Sequence, residues 1–278
     1  MSNKVPEYEE ALKGFKQSGP FQIVAEYDMD GDPKQGQKYL DEIDVKVKPD
    51  LIFAVGRWAL QATINRPVSI PVVYAMVLNP PSILGPGAKN ITGASMNVPV
   101  EQAIRLFKQL GPDIKRIGVV YNPARTGYLV KQAQALAVQQ GLDLVTRDIS
   151  SSKEAPAALQ SLQGTVDALW IVPDETVLSQ PIIQQMLKTA FGWKIPVLGL
   201  TDRHAEMGAL FALSFASGQD IGVQAGDLAQ TVLSGRAASD VPYTNARKVA
   251  LTVNLKTAQK LGLEVPKNIL ERATNVIQ

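Results

Sequence analysis

The stretch Lys115-Arg116-Ile117-Gly118-Val119-Val120-Tyr121-Asn122-Pro123 decides the fold. Residues 117–121 are apolar or small without interruption, and the run stops at Asn122-Pro123, a pair that turns the chain. A strand with no polar alternation has no solvent face, so this one is predicted to be covered on both sides. After the turn, residues 124–140 place Leu129, Ala133, Leu136 and Ala137 on one helical face, and Gly141 ends the helix. A second apolar run, residues 142–149, follows. Strand, helix and strand in this order form the repeating unit of a parallel sheet.

The same alternation extends in both directions. Toward the amino end, strands are expected at residues 21–27, 51–55, 72–77 and 91–96, helices at 6–17 and 33–43, and a Pro/Gly-rich loop at 79–87. A helix at 99–110, opened by Pro99 and stopped by Gly111-Pro112, precedes the restart at Ile117. Toward the carboxyl end, strands are expected at 168–172, 196–200, 210–215 and 249–253. Helices are expected at 178–191, between Ser151/Glu154 and Gly164, and between Ser217/Asp220 and Gly235, with further helical signals at 255–261 and 266–273. The expected class is α/β, with the restart marking a second lobe of similar architecture.

Composition narrows the chemistry. The 278 residues include 28 Lys and Arg against 26 Asp and Glu, no Cys and one His. A net charge of +2 without a basic run gives no electrostatic footprint for nucleic acid. The absence of Cys excludes thiolate metal sites, Fe–S clusters and Cys nucleophiles, and a single His204 excludes His-rich metal sites. Neither a P-loop nor a dinucleotide-binding glycine pattern occurs, and no Ser nucleophile elbow accompanies His204. No catalytic residue, metal or cofactor is expected. No apolar run reaches the length of about 20 residues that spans a bilayer, and Met1-Ser2-Asn3-Lys4 leads directly into an acidic helix without a signal peptide.

In open α/β sheets ligands bind beyond the carboxyl ends of the strands. The residues expected there are Gly56, Arg57 and Trp58 after 51–55, Asn79 after 72–77, and Thr92 and Ser95 after Ile91. In the second half they are Tyr121, with Arg125 and Tyr128 nearby, then Asp174 and Thr176 after 168–172, and Asp202 after 196–200. Each has a plainer reading. Gly56 permits a tight turn, Asn79 and Asn122 form turns before proline, Asp174 or Thr176 caps a helix, and Trp58 packs.

The ordered motifs resemble a known family. Pro49-Asp50-Leu51-Ile52-Phe53-Ala54-Val55-Gly56, then Ile70-Pro71-Val72-Val73-Tyr74, then Asn90-Ile91-Thr92-Gly93-Ala94-Ser95 are similar to the first lobe of ABC-transporter substrate-binding proteins of the tryptophan/tyrosine-binding type. The second lobe agrees at residues 115–123, at Val166-Asp167-Ala168-Leu169-Trp170-Ile171-Val172-Pro173-Asp174-Glu175-Thr176-Val177, and at Val253-Asn254, Ala258, Leu261-Gly262 and Val265-Pro266. The resemblance implies a type I periplasmic-binding fold, two lobes joined by three crossover strands. It assigns residues 1–97 and 218–249 to the amino-terminal lobe and 98–217 and 250–278 to the carboxy-terminal lobe. It implies a small ligand in an interlobe cleft, an amino acid of aromatic or branched type, with hinge closure, a membrane permease as partner, and a monomer.

The resemblance also implies roles. The 56–58 loop and the 92–95 segment would meet the ligand's carboxylate, Asp174 its amine, and Trp58, Tyr121 and Tyr128 its side chain. Departures from the family pattern are Arg57 and Trp58 in place of small hydroxyl residues and Asn79 in place of an acid. The family's first strand, ahead of residues 6–17, has no counterpart, so a longer natural precursor is expected, periplasmic or lipid-anchored. Two other readings are a ligand sensor that acts through a receptor or regulator, and an α/β enzyme that uses cleft carboxylates.

Overall fold

A computed structural model describes residues 1–65, 69–85 and 88–278. Pro86 and Gly87, the end of the expected 79–87 loop, lie outside the described residues. In chain order the helices are α1 (Pro6–Gln17), α2 (Pro33–Glu42), α3 (Arg57–Asn65), α4 (Val100–Gln109), α5 (Pro123–Gln139), α6 (Ala155–Gln160), α7 (Gln180–Gly192), α8 (Asp202–Glu206), α9 (Gly218–Leu233), α10 (Leu255–Leu261) and α11 (Lys267–Leu270). The strands are β1 (Ile52–Val55), β2 (Val72–Val77), β3 (Ile91–Ser95), β4 (Arg116–Tyr121), β5 (Asp143–Asp148), β6 (Ala168–Trp170), β7 (Val197–Gly199), β8 (Phe211–Phe215), β9 (Val249–Asn254) and β10 (Asn275–Ile277). The fold is α/β, as the alternation predicts. The chain forms two compact units, Met1–Asn97 with Phe215–Lys248 and Val98–Ser214 with Val249–Gln278, and passes between them at three points.

The first unit holds a parallel sheet in the order β1-β2-β3. Its central strand β2 is buried along its whole length, so it can read as a continuous apolar run. Alternate residues feed two cores. Val55, Val73 and Ala75 pack with Phe15, Ile221 and Ala225, while Ala54, Val72 and Tyr74 pack with Leu40 and Leu60. At the end of β2 the register shifts between Ala75 and Val77, and Met76 takes a positive φ of 58°. This bulge sends Met76 and Val77 to opposite cores, reversing the alternation just before the loop at Asn79.

The second unit holds a sheet in the order β10-β9-β8-β7-β6-β4-β5. The pairs β4/β5, β4/β6, β6/β7, β7/β8 and β9/β10 are parallel. Ile117, Val119, Trp170 and Phe211 share one core, and Val120, Leu169, Ile171 and Val197 share the other. This is the two-sided burial expected of residues 117–121.

Four details differ from the sequence-based expectation. Residues 21–27 form no strand, and Ile23 and Val24 are 39% and 58% exposed. Strand propensity needs a neighbouring edge, and the Met1-Ser2 backbone meets this segment only at its last residue, Tyr27, before bonding Met29 and Gly31. The helix at 33–43 ends at Glu42 and continues as a π-helical turn, Ile43–Val47, closed by Lys48 at φ 47°. Ser151 and Glu154 bond each other (2.9 Å) instead of capping helix amides, and a 3-10 turn, Ser152–Glu154, precedes α6. β10 was not anticipated; its three residues pair as an edge with β9 and carry too little pattern to read.

The amino-terminal helix is fastened by glycines. Gly218, Gly222 and Gly226 recur every fourth residue along one face of α9. A Cβ on Gly218 would overlap the Glu7 carbonyl, one on Gly222 the Ala11 carbonyl, and one on Gly14 of α1 the Gln219 carbonyl. The two helices therefore meet backbone to backbone. Gly222→Ala forces them apart and is expected to cost about 2–3 kcal/mol of stability, measured as a fall in the urea midpoint at unchanged m-value. A midpoint equal to wild type would show that the contact is not required.

Candidate functional site

Each unit presents polar residues at the carboxyl ends of its parallel strands. In the first unit, β1 ends at Gly56, whose φ is 86°. A Cβ there would lie 2.5 Å from Tyr8 Cε2 and 2.8 Å from Ser2 Oγ, so glycine is required by conformation and by close approach. α3 starts at once with Arg57 and Trp58. Trp58 is 44% exposed, and the Arg57 guanidinium lies 5.9 Å from its ring centroid. The Ser2 hydroxyl donates to Val55 O (3.0 Å) and accepts from Ala59 N–H (2.8 Å), satisfying one of the orphan donors at the amino end of α3.

Asn79, after the bulge, is buried with φ 51°. Its N–H donates to Asn97 Oδ1 (2.9 Å), and its carbonyl accepts from the Ser82 hydroxyl (2.8 Å). Ser95 ends β3, fully buried; its hydroxyl accepts from Asn97 N–H (3.2 Å) and donates to Asn245 Oδ1 (3.2 Å). Asn79, Asn97, Ser95 and Asn245 thus form one polar network at the sheet's carboxyl edge. Gln224 anchors it from α9 by donating to Asn245 O (2.7 Å) and accepting from Arg247 N–H (3.0 Å). Asn97, Asn245 and Gln224 were not anticipated, because their relation to Ser95 is set by a contact across about 150 residues, the separation at which Ser95 bonds Asn245. Thr92 lies elsewhere. β3 runs from Ile91 to Ser95, so Thr92 is its second residue, buried in the sheet about 10 Å from the carboxyl end.

In the second unit, β4 ends at Tyr121 and Asn122. Asn122 Oδ1 caps α5 by accepting from Ala124 N–H (3.0 Å). Burial and a side-chain hydrogen bond with Asp148 push the Tyr121 phenol above its ordinary pKa. Asp174 follows β6 and is fully buried. Its Oδ2 accepts from Asn122 N–H (2.7 Å) and its Oδ1 from Thr176 N–H (2.8 Å), so the carboxylate ties the turns after β4 and β6 together. Above it, Arg125 pairs with Glu175 at 3.1 Å, both about 42% exposed. Tyr128 is 38% exposed on α5. Asp202 opens α8 after β7 and accepts from the Thr252 hydroxyl (2.6 Å). Tyr121, Arg125, Asp174 and Thr176 are therefore brought together, with Asp202 at the end of a neighbouring strand.

His204 sits in α8, its Nδ1 accepting from Leu200 N–H (3.1 Å). Burial, and then the Arg203 charge, lower its pKa, so the imidazole is held neutral. Among the described residues no group of three or more His, Cys, Asp or Glu could hold a metal, and no helix is long and apolar enough to cross a membrane.

A family model described as ABC transporter substrate binding protein matches residues 14–277. The chain belongs to this family. It is the substrate-binding component of an ABC transporter. It is 29% identical over 265 residues to the tyrosine-binding protein of Clostridioides difficile (strain R20291), a match that covers 91% of this chain and 74% of that protein. Among solved structures it is similar to the ligand-free, open form of a substrate binding protein with adhesive properties from Clostridium difficile. That match has a TM-score of 0.72, 25% identity, and covers 99% of this chain and 97% of that one. A Streptococcus pneumonia ABC domain in complex with L-Trp shares the fold, with TM-score 0.70, 24% identity and coverage of 99% and 97%. These matches bear out the type I periplasmic-binding fold expected from the sequence.

Two outcomes follow from the second unit. Asp174→Ala removes a buried carboxylate and the acceptor of two part-buried N–H groups and is expected to lower stability by about 1–3 kcal/mol, read by urea denaturation; a loss under about 0.5 kcal/mol would show that water replaces the carboxylate. The depressed pKa of His204 means that the unfolded chain takes up a proton first as pH falls. Stability is therefore lost from about pH 6.5 down to the lowered folded pKa, with a slope of at most about 1.4 kcal/mol per pH unit. His204→Gln should flatten that part of the stability–pH curve, and an unchanged slope in the variant would assign the loss to other groups.

Proposed function

We propose that the ligand is an amino acid with an aromatic side chain, delivered to a membrane permease. The observation that supports this most is the exposed Trp58 ring beside the Arg57 guanidinium at the amino end of α3. A cation at a helix amino terminus favours a carboxylate, and a half-exposed indole offers a stacking face. The tyrosine-binding relative favours the same class. In this reading Gly56, Arg57, Trp58, Asn79 and Ser95 from the first unit and Tyr121, Arg125, Tyr128, Thr176 and Asp202 from the second meet the ligand. Thr92 and Asp174, both buried, hold these positions from beneath. For the ligand's amine we infer the exposed carboxylate of Asp202, because Asp174 is fully buried beneath the two backbone N–H groups it accepts. The protein works outside the cytoplasm, as a periplasmic or lipid-anchored component, and transfers its ligand unchanged without acting as an enzyme.

Titration calorimetry against the twenty amino acids is the test. Binding of an aromatic amino acid at micromolar or tighter Kd is expected, weakened at least tenfold by Trp58→Ala, which removes an exposed ring and should leave the thermal midpoint near wild type. Selective binding of a branched aliphatic residue would replace the aromatic class, and no binding by the folded protein would defeat the amino-acid reading.

A further inference from the structure

The polar edge of the first unit ends in a hydrogen-bond donor that the fold itself does not use. Residues 244–246 run beside β3 as a parallel strand. Thr244 N–H donates to Gly93 O (2.9 Å), Ser95 N–H to Thr244 O (2.8 Å) and Ala246 N–H to Asn97 O (2.9 Å). Alternation turns the backbone of Asn245 to the outer edge, and α9 covers it there. Gln224 is buried, and its side chain donates to Thr244 Oγ1 and to Asn245 O (2.7 Å) and accepts from Arg247 N–H (3.0 Å). The buried amide of Gln224 is thus spent on holding this one segment in place.

That grip decides how the Asn245 side chain is used. Ser95 Oγ accepts from Asn97 N–H (3.2 Å), so its own proton goes to Asn245 Oδ1 (3.2 Å). With the oxygen engaged by Ser95, Nδ2 is the outer atom of the amide. Among the described residues nothing accepts from Nδ2. Asn79, Ser95 and Asn97 are buried, whereas Asn245 is half-buried. Hydrogen bonds in series polarise one another, so an amide whose oxygen already accepts a bond is a better donor at its nitrogen.

Strand order places this donor. The carboxyl edge runs through β1, β2 and β3 to residues 244–246. Arg57 and Trp58 stand at the β1 end. Asn245 stands at the other, three strand spacings or about 14 Å away. That is the length of an extended aromatic amino acid with a hydrogen bond of about 2.9 Å at either end. We infer that Asn245 is a specificity-determining residue, which donates from Nδ2 to a ring hydroxyl at the far end of the ligand and so selects hydroxylated aromatic amino acids. This rests on the reading above, in which Arg57 takes the carboxylate and Trp58 stacks on the ring. An unsubstituted ring would strip water from Nδ2 and offer no acceptor in its place, which is how a site built for a hydroxyl rejects the analogue that lacks one.

Calorimetry with L-tyrosine and L-phenylalanine, which differ by the hydroxyl alone, tests the assignment. The protein is expected to bind L-tyrosine at least tenfold more tightly. Asn245→Leu, similar in branched shape, should abolish that preference by weakening L-tyrosine while leaving L-phenylalanine within about twofold. Any loosening from the lost Ser95 bond would weaken both ligands alike. A second readout does not depend on the variant folding: in isotope-labelled protein the Asn245 side-chain amide protons should move downfield with L-tyrosine, as a donated hydrogen bond requires, and not with L-phenylalanine. Equal affinity of the protein for the two ligands would overturn the assignment and leave the aromatic reading standing, as would an equal loss of both in Asn245→Leu or amide protons that respond to both alike. Binding of neither by the folded protein would overturn the aromatic reading and this assignment with it.

Discussion

The first unit is assembled from two pieces of chain more than a hundred residues apart, and what joins them is a backbone-to-backbone contact between α1 and α9. Glycines at 14, 218, 222 and 226 remove the Cβ atoms that would hold the helices apart. At that separation, Ala11, Phe15, Ile221 and Ala225 can share one core with Val55 and Val73. α9 also carries Gln224, which fixes the Asn245 segment beside Ser95. The polar edge of this sheet therefore depends on how closely two helices approach at some distance from it.

At the carboxyl edges the same physical rule acts in both units: buried backbone amides must find acceptors. In the first unit asparagine side chains supply them, with Asn97 taking the N–H of Asn79. In the second a single carboxylate, Asp174, takes two. This spends the most eligible acid of the second unit on structure and leaves the exposed Asp202 and the Arg125–Glu175 pair as the groups that face solvent.

Much of this was legible in the sequence. The apolar runs at 72–77 and 117–121, the Ser217/Asp220 cap and the stops at glycine sit where local chemistry places them, since each depends on residues within one turn. The strand expected at 21–27 failed for the opposite reason: its pattern is real, but a strand exists only with a neighbouring edge. Thr92 was misplaced although the strand was expected at 91–96: it was grouped with the residues beyond the carboxyl end, whereas it is the second residue of β3. Gly56 shows both sides. Its turn was evident, whereas the approach of Tyr8 and Ser2 was not.

By itself the sequence determined the α/β class, the restart that makes two units, and the absence of thiol chemistry, because these follow from periodicity and from which side chains are present. Its motif order also sufficed for the family. The tertiary structure alone decided that Asp174 is a structural anchor and that Asn97, Asn245 and Gln224 build the polar edge of the first unit. Each of these is a hydrogen bond or a contact between residues far apart in the chain, and periodicity carries no information about which distant partner a polar group will meet.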